Sequence, residues 1–163
     1  MYNGSTISGW KNFHWKSKHS SVSITIPPEF ISKDISDSKS PIVNDPRVHT
    51  IAHILVNASK ILTKSESSDI DVYYEKGIIY LYDNSSDGFN GCSKIIYDGF
   101  EKVLKTGFSL LADCDCPTDK IEKDEEGNWG GCPKCTFTTN YCQTKNKELS
   151  KKDAKEFFIA FQS

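Results

Sequence analysis

Apolar residues recur at two different spacings along this chain, and the spacings predict which stretches form strands and which form helices. From Val22 to Ile26 they alternate with serine and threonine, and Pro27 follows, so a short strand is predicted to end at the proline. A second alternating stretch covers residues 70–82, interrupted at 75–77 by a glycine-containing turn, and predicts a β-hairpin.

Three longer stretches have apolar residues three and four positions apart, which is the spacing of one helical face. They run over residues 47–63, over about 91–112, and from Ser150 to near the end of the sequence. In the last one, Ser150 and Asp153 resemble a capping box, in which the serine oxygen accepts a backbone N–H of the first turn. The apolar positions are Val48, Ile51, Ala52, Leu55, Ala58 and Leu62, then Ile96, Phe100, Val103, Leu104, Phe108 and Leu111, then Ala154, Phe157, Phe158 and Phe161.

Together these elements predict an α+β fold, a small helical domain with a β-hairpin. Residues 32–46 are rich in serine, aspartate and proline, which predicts a loop or linker. We therefore divide the 163 residues into an irregular N-terminal segment with one short strand, residues 1–46, and a domain that spans residues 47–163.

The cysteines change this picture, because five of the six lie in one stretch. They are Cys114, Cys116, Cys132, Cys135 and Cys142. Thiolates a few residues apart can converge on one tetrahedral zinc ion, and Cys132-Pro-Lys-Cys135 after two glycines is typical of a zinc knuckle. We predict a structural four-cysteine zinc site that staples the second and third helices together. Cys92 lies outside the cluster, and we expect a small buried side chain at a helix start.

Two other uses of clustered cysteines fit the sequence less well. A disulfide framework is typical of secreted chains, whereas residues 1–15 are polar and lack the apolar core of a signal peptide. A catalytic zinc usually has three protein ligands and an open position, whereas the thiols here suffice to close the shell. No apolar run is long enough to span a membrane, and we expect a cytoplasmic protein.

The charge distribution gives little information about binding partners. The net charge of −2 does not create a basic field that would attract nucleic acid. Acidic residues are concentrated at 119–126, inside the cysteine cluster, and lysines at 145–155 follow it. The plain interpretation is a solvated loop and a solvated helix face, and the alternative is a local basic edge that contacts phosphate.

Few residues in the chain suggest catalysis. His49 and His53 have the spacing of one helical face, but Thr50 stands where a zinc protease has its glutamate, so we expect the polar edge of a half-buried helix. Asp83 follows a predicted strand, where an aspartate more often caps a turn than serves a site. The sequence contains neither a Gly-x-x-x-x-Gly-Lys-Ser/Thr phosphate loop nor a Gly-x-Ser-x-Gly elbow, so we expect no catalysis by this chain alone.

Three segments resemble a known family. They are His49-Thr-Ile-Ala-His53-Ile-Leu, Ile79-Tyr-Leu-Tyr-Asp83, and the cysteine stretch that ends in Cys142 and Leu149-Ser-Lys-Lys-Asp-Ala154. From Val48 onward the chain resembles the zinc-binding domain at the C-terminus of MrfA-type helicases, formerly a domain of unknown function. It departs from that family in two places. The turn after Asp83 lacks the usual Pro-Gly-Gly, and an acidic insert over 117–131 separates the two cysteine pairs. Such an insert is compatible with zinc binding, because the entropic cost of closing a loop grows only slowly with its length.

The resemblance implies a ligand set and a function. The implied Zn2+ ligands are Cys114, Cys116, Cys132 and Cys135, with Cys142 in reserve. The implied function is a non-catalytic accessory module of a superfamily-2 DNA helicase system, in DNA repair or in phage defence of the DISARM type. A helicase ATPase, in the same polypeptide or on a separate subunit, would be the partner, and DNA would be held or guided. Candidate contacts are Lys145, Lys147, Lys151 and Lys152, with Trp129 and Phe137 as stacking platforms for bases.

Two alternatives stay open at the level of sequence. The first is a zinc-stabilised scaffold for protein–protein interaction, with the acidic insert as the docking segment. The second is a small metallohydrolase that uses His49, His53 and Asp83, which would require a second metal ion in each chain.

Overall fold

The computed structural model describes residues 20–31, 45–75, 77–84, 90–116, 132–138 and 149–161. In these ranges the chain forms three strands, a short 3-10 turn and four α-helices. The elements are β1 (Ser21–Thr25), the turn Pro28–Phe30, α1 (Pro46–Thr63), β2 (Ile70–Glu75), β3 (Ile78–Asp83), α2 (Cys92–Asp98), α3 (Phe100–Ala112) and α4 (Lys151–Ala160). The predicted α+β class is confirmed, and no helix of the described part is long and apolar enough to cross a membrane.

The sheet is antiparallel, with strand order β1-β3-β2. The predicted hairpin is confirmed, and β1 pairs with its second strand. Across the sheet, Leu81 of β3 lies opposite Val22 of β1 and Val72 of β2, and all three side chains are buried. β1 therefore contributes to the same core as the hairpin. The proposed division at residue 46 stays a prediction, and the pairing of β1 with β3 joins the two proposed parts.

α1 lies at the centre of the helical layer and packs against β2, α3 and α4. It begins at Asp45, whose carboxylate accepts the backbone N–H of Arg47, and ends at Lys64 in the left-handed conformation. Because neighbours cover it on several sides, some of its polar residues are buried. The two histidines illustrate this: His49 is 1% exposed and His53 is 0% exposed. The expectation that they form the polar edge of a half-buried helix is wrong.

The single helix predicted over about 91–112 is also wrong, because the structure has two helices that meet at Gly99. The N–H of Gly99 bonds to the carbonyl of Ile95 and ends α2, while its carbonyl accepts from Lys102 and starts α3. A Cβ at position 99 would lie 3.1 Å from Leu62 Cδ2, so glycine lets the junction approach α1 closely. Ile96 and Phe100 both reach the core, which explains why the apolar spacing continues through the break.

α4 begins as predicted. Ser150 Oγ accepts the N–H of Asp153 at 3.4 Å, and the N–H of Ser150 donates to Thr50 Oγ1 on α1 at 2.7 Å. The buried rings of Phe157 and Phe158 attach the helix to the core. A Cβ at Gly107 of α3 would lie 2.5 Å from Phe158, so the two helices pack in close contact there.

Candidate metal centre

Four cysteines from two separate segments meet beside the ends of two helices. Cys114 and Cys116 follow α3 directly, while Cys132 and Cys135 lie in a tight turn. All four sulfur atoms lie within 4.8 Å of one another. The Cys114–Cys132 and Cys116–Cys135 sulfur pairs are each 3.6 Å apart, far beyond a disulfide bond of about 2.05 Å. The structure thus brings together the cysteines that the resemblance selected.

The turn over residues 132–138 is built around one carbonyl. Cys132 O accepts the backbone N–H groups of Cys135, Thr136 and Phe137 at 3.2, 3.1 and 2.9 Å. In return, the N–H of Cys132 donates to the hydroxyl of Thr136 at 2.7 Å. Together these hydrogen bonds fix the distance between Cys132 and Cys135. The contribution of Thr136 could not be recognised in the sequence.

Two polar side chains of α1, one helical turn apart, hold this turn against the core. His53 Nδ1 lies 2.9 Å from the carbonyl of Thr136, and because a carbonyl only accepts, Nδ1 carries the proton. Asn57 Nδ2 donates to the carbonyls of Phe137 at 2.8 Å and Cys135 at 3.4 Å. Burial, and secondly the neighbouring His49, lowers the pKa of His53 to about 3, so the ring is neutral at pH 7. No pattern in the sequence pointed to Asn57.

Lys151, the first residue of α4, completes the surroundings of the cluster. Its Nζ donates to the carbonyls of Cys114 and Cys116 at 2.7 and 3.1 Å, and to Cys116 Sγ at 3.2 Å. The residue is 3% exposed. Burial alone would lower its pKa, but the hydrogen bond to Cys116 and the nearby sulfur charges raise it above its ordinary value. Its ammonium is enclosed by the cysteine segment, and this arrangement does not favour the predicted contact of Lys151 with nucleic acid.

Comparison with known proteins agrees with this site. Residues 51–136, slightly more than half of the chain, match the family described as the MrfA Zn-binding domain. The chain belongs to this family. An uncharacterized protein of Methanocaldococcus jannaschii is 28% identical over 114 residues, which cover 64% of this chain and 89% of that protein. No solved structure matches.

The cluster has the chemistry and the dimensions that the family name implies. A tetrahedral zinc ion with Zn–S bonds of about 2.3 Å needs sulfur atoms roughly 3.8 Å apart. Here two sulfur pairs are 3.6 Å apart, and all four sulfurs lie within 4.8 Å of one another. The residues present therefore fit Zn2+. Cysteine thiolates in a set of four are typical ligands of structural zinc.

The thiols also affect one another's protonation. Burial alone would raise the pKa of Cys114, but hydrogen bonds from the backbone and sulfur of Cys116 and from nearby thiols lower it to about 7. Burial, followed by neighbouring thiols, raises the pKa of Cys135 well above its ordinary value, and burial raises that of Cys116. Without a cation, therefore, burial and the neighbouring thiols oppose the thiolate form of Cys135. A divalent metal would compensate that charge.

Two residues outside the cluster have structural roles. Cys92 begins α2 and is 8% exposed, which confirms the small buried side chain expected at a helix start. Asp83 is fully buried and its carboxylate accepts the N–H groups of Asn90, Gly91 and Ser93 at 3.1, 3.0 and 2.7 Å. Asp83 thus caps the start of α2, as expected for an aspartate after a strand.

The metallohydrolase site does not form. Across the described ranges, the four cysteines are the one group of three or more metal-binding side chains close enough to share an ion. His49 and His53 lie edge to face at 4.4 Å between ring centroids, and His49 stacks on Tyr74. Their rings belong to the packed core, and Asp83 is occupied by the backbone of α2.

The remaining candidates divide by location. Lys152 and Phe137 are exposed, the latter by 42%. Cys142, Lys145, Lys147, Trp129 and the acidic residues of 119–126 lie outside the described residues.

Proposed function

We propose that this chain is a non-catalytic, zinc-binding accessory module of a superfamily-2 DNA helicase system that acts in DNA repair or phage defence. The observation that supports this most strongly is the four-cysteine cluster within a chain of the MrfA Zn-binding domain family. Four thiolates fill a tetrahedral shell and leave no position for a reactive water. The zinc would therefore be structural, stapling the end of α3 to the start of α4.

The motor would lie outside this sequence, either in the same polypeptide or on a separate subunit. The sequence lacks the phosphate loop of an ATPase. The alignment with the M. jannaschii protein covers 89% of that protein, so the relative is little longer than the shared region.

The partner can be identified by affinity purification of the tagged full chain from its native cells, followed by mass spectrometry. We expect a helicase-type ATPase to co-purify stoichiometrically with the zinc-loaded chain. The matched control is the Cys132→Ser variant, which should lose zinc and the partner together. Recovery of other proteins in stoichiometric amount, with no ATPase, would contradict the helicase role.

DNA contact would come from the lysines and aromatic residues that flank the cluster. Lys152 and Phe137 are exposed, and Lys145, Lys147 and Trp129 belong to the same part of the sequence. Lysines that neutralise phosphates release counterions, so log affinity should fall linearly with log salt concentration. Each phosphate contact contributes roughly 0.7 to the slope for single-stranded DNA.

The DNA contact is tested with two triple variants of equal charge. Lys145, Lys147 and Lys152 are changed to glutamine in one, and the exposed residues Lys64, Lys102 and Lys105 in the other. We expect only the first to lower the salt slope, by roughly 2 for single-stranded DNA. A flat salt response in the wild-type chain, or equal effects of both variants, would contradict DNA contact by these lysines.

The second candidate is a zinc-stabilised protein–protein scaffold. It is favoured by the net charge of −2 and by the loss of Lys151 from the expected basic edge. The same purification separates the two candidates, because a scaffold would recover a partner without ATPase motifs and would show no salt-dependent DNA binding.

A further inference from the structure

Lys151 occupies a place where lysine is rarely found. The side chain is 3% exposed, and lysine is almost never fully buried unless its charge is paired. All three N–H groups of an ammonium can be used at once here, because Nζ lies within 3.2 Å of two carbonyls and one sulfur atom. Each of these acceptors belongs to Cys114 or Cys116.

The charge of the cluster explains why a cation is stabilised there. Four thiolates around one Zn2+ have a net charge of −2, and an adjacent ammonium reduces the local charge to −1. Because Lys151 is only 3% exposed, fewer water dipoles screen this pairing than would screen one at the surface.

The ammonium of Lys151 also holds the backbone of the first cysteine pair in place. Cys114 and Cys116 are separated by one residue, so binding both to one metal ion constrains the intervening backbone. Nζ joins the carbonyls of Cys114 and Cys116, at 2.7 and 3.1 Å, and thereby holds the segment in the conformation that places both sulfurs toward the knuckle.

We propose that Lys151 is a positioning residue of the zinc centre, which fixes the Cys114–Cys116 segment through its carbonyls and stabilises the Cys116 thiolate through a hydrogen bond to sulfur. This inference rests on zinc occupancy of the four cysteines and is independent of the helicase partnership. Side chains that hydrogen-bond to metal ligands orient those ligands and tune the metal. Zinc should therefore leave the site more slowly, and Cys116 should react more slowly with electrophiles, than either would without the lysine.

The adjacent residue provides a matched control. Lys152 is exposed, has the same charge and lies in the same helical turn. Lys151→Arg keeps the charge and several donors, Lys151→Gln removes the charge but keeps a donor, and Lys151→Met removes both. Lys152→Gln changes the net charge as much as Lys151→Gln does.

The test uses the full chain loaded with zinc or with cobalt(II), whose absorption reports the ligand field and the sulfur-to-metal charge transfer. We expect Lys151→Gln and Lys151→Met to move the charge-transfer band to lower energy. They should also speed zinc transfer to a chromogenic chelator by about 10- to 100-fold. The rate of Cys116 alkylation, measured by peptide mass spectrometry, should also rise in both variants. Lys151→Arg should restore most of each property, and Lys152→Gln should behave as wild type.

Several outcomes would overturn the proposal. If Lys151→Gln lowers thermal stability but keeps the wild-type band and release rate, the lysine is only a packing element. If Lys152→Gln matches Lys151→Gln, the effect is one of general charge. Should Lys151→Met fail to fold, the contrast between Lys151→Arg and Lys151→Gln decides the question. A wild-type chain without the cobalt spectrum of four thiolates would instead refute the zinc centre itself.

Discussion

The apolar core and the cysteine cluster are held together by different forces. The core joins the inner face of the sheet to α1 and to the helices around it, and its largest side chains, such as Leu81 and Phe158, are fully buried. The cluster, formed by residues 114–116 and 132–138, contacts that core through the buried Cys135 and is also held by hydrogen bonds from His53, Asn57 and Lys151. Hydrophobic burial can stabilise the first region alone, whereas the second needs its metal. We therefore expect that each region can be weakened separately.

The largest expected effect is the loss of a cluster cysteine. Cys135→Ser should abolish zinc binding, which in zinc-finger peptides supplies roughly 10–16 kcal/mol of apparent free energy. We expect the 113–150 region to become sensitive to protease while the helical circular dichroism of the core is largely retained. Metal analysis and limited proteolysis measure both.

Two cysteine controls sharpen that result. Cys92→Ser alters a buried cysteine outside the cluster and should keep one zinc per chain. Cys142→Ser should also keep it, since the other four cysteines already meet within 4.8 Å. Loss of zinc from the Cys142 variant would contradict the ligand set.

A core substitution should destabilise the fold and leave zinc binding intact. Phe158→Ala removes a fully buried ring that packs against Gly107, and we expect it to lower the free energy of unfolding by about 3–5 kcal/mol. Ile159→Ala, at a neighbouring position that is 50% exposed, should change it by less than about 0.5 kcal/mol. Chemical denaturation measures both. A zinc content below one per chain in folded Phe158→Ala would show that the two regions are not separable.

Acid should weaken the contact between the regions. The pKa of His53 is lowered from 6.5 to about 3 in the fold, so the unfolded chain binds an additional proton between these values. The stabilisation is complete above pH 6.5 and is lost as the pH falls toward 3, with a slope of at most about 1.4 kcal/mol per pH unit. His53→Gln removes this titration but shares the acid response of the zinc thiolates. Denaturation at several pH values should therefore show that the free energy of unfolding declines less steeply with falling pH in the variant. Identical slopes would refute the lowered pKa of His53.

A smaller effect is expected from Asn57. Asp at this position cannot donate to the carbonyls of Phe137 and Cys135, so Asn57→Asp should cost about 1–3 kcal/mol and speed zinc release. Ser59→Ala, two residues along α1, removes a buried hydroxyl that has no hydrogen-bond partner in the described structure, and should be neutral or slightly stabilising. Equal zinc release from both variants would show that Asn57 does not hold the turn.

The two regions also differ in how far the sequence predicts them. Apolar spacing located the hairpin, α1 and α4, because burial of one face requires that spacing. It did not reveal the break at Gly99, since both helices face the same core and keep a continuous pattern. The cysteine spacing predicted a zinc site among five clustered cysteines, and the family resemblance implied which four of them are the ligands.

The sequence did not predict which side chains attach the cluster to the rest of the fold. His53 was assigned to a polar edge and Lys151 to a DNA surface, because local composition does not show which distant segment will cover a side chain. Lys151 and Lys152 are adjacent and chemically identical, yet one is 3% exposed and the other is exposed. Only the position of α4 against the 114–116 segment distinguishes them.

The most direct test of a metal-held cluster on a self-sufficient core is hydrogen exchange of the full chain, zinc-loaded and after chelation, followed by mass spectrometry of its peptides. We expect chelation to remove protection from residues 113–116 and 132–138 and from the first turn of α4, while β3 and the middle of α1 stay protected. Unchanged protection around the cysteines would contradict a metal-held cluster. Simultaneous loss across β3 and α1 would contradict a core that is stable without the metal.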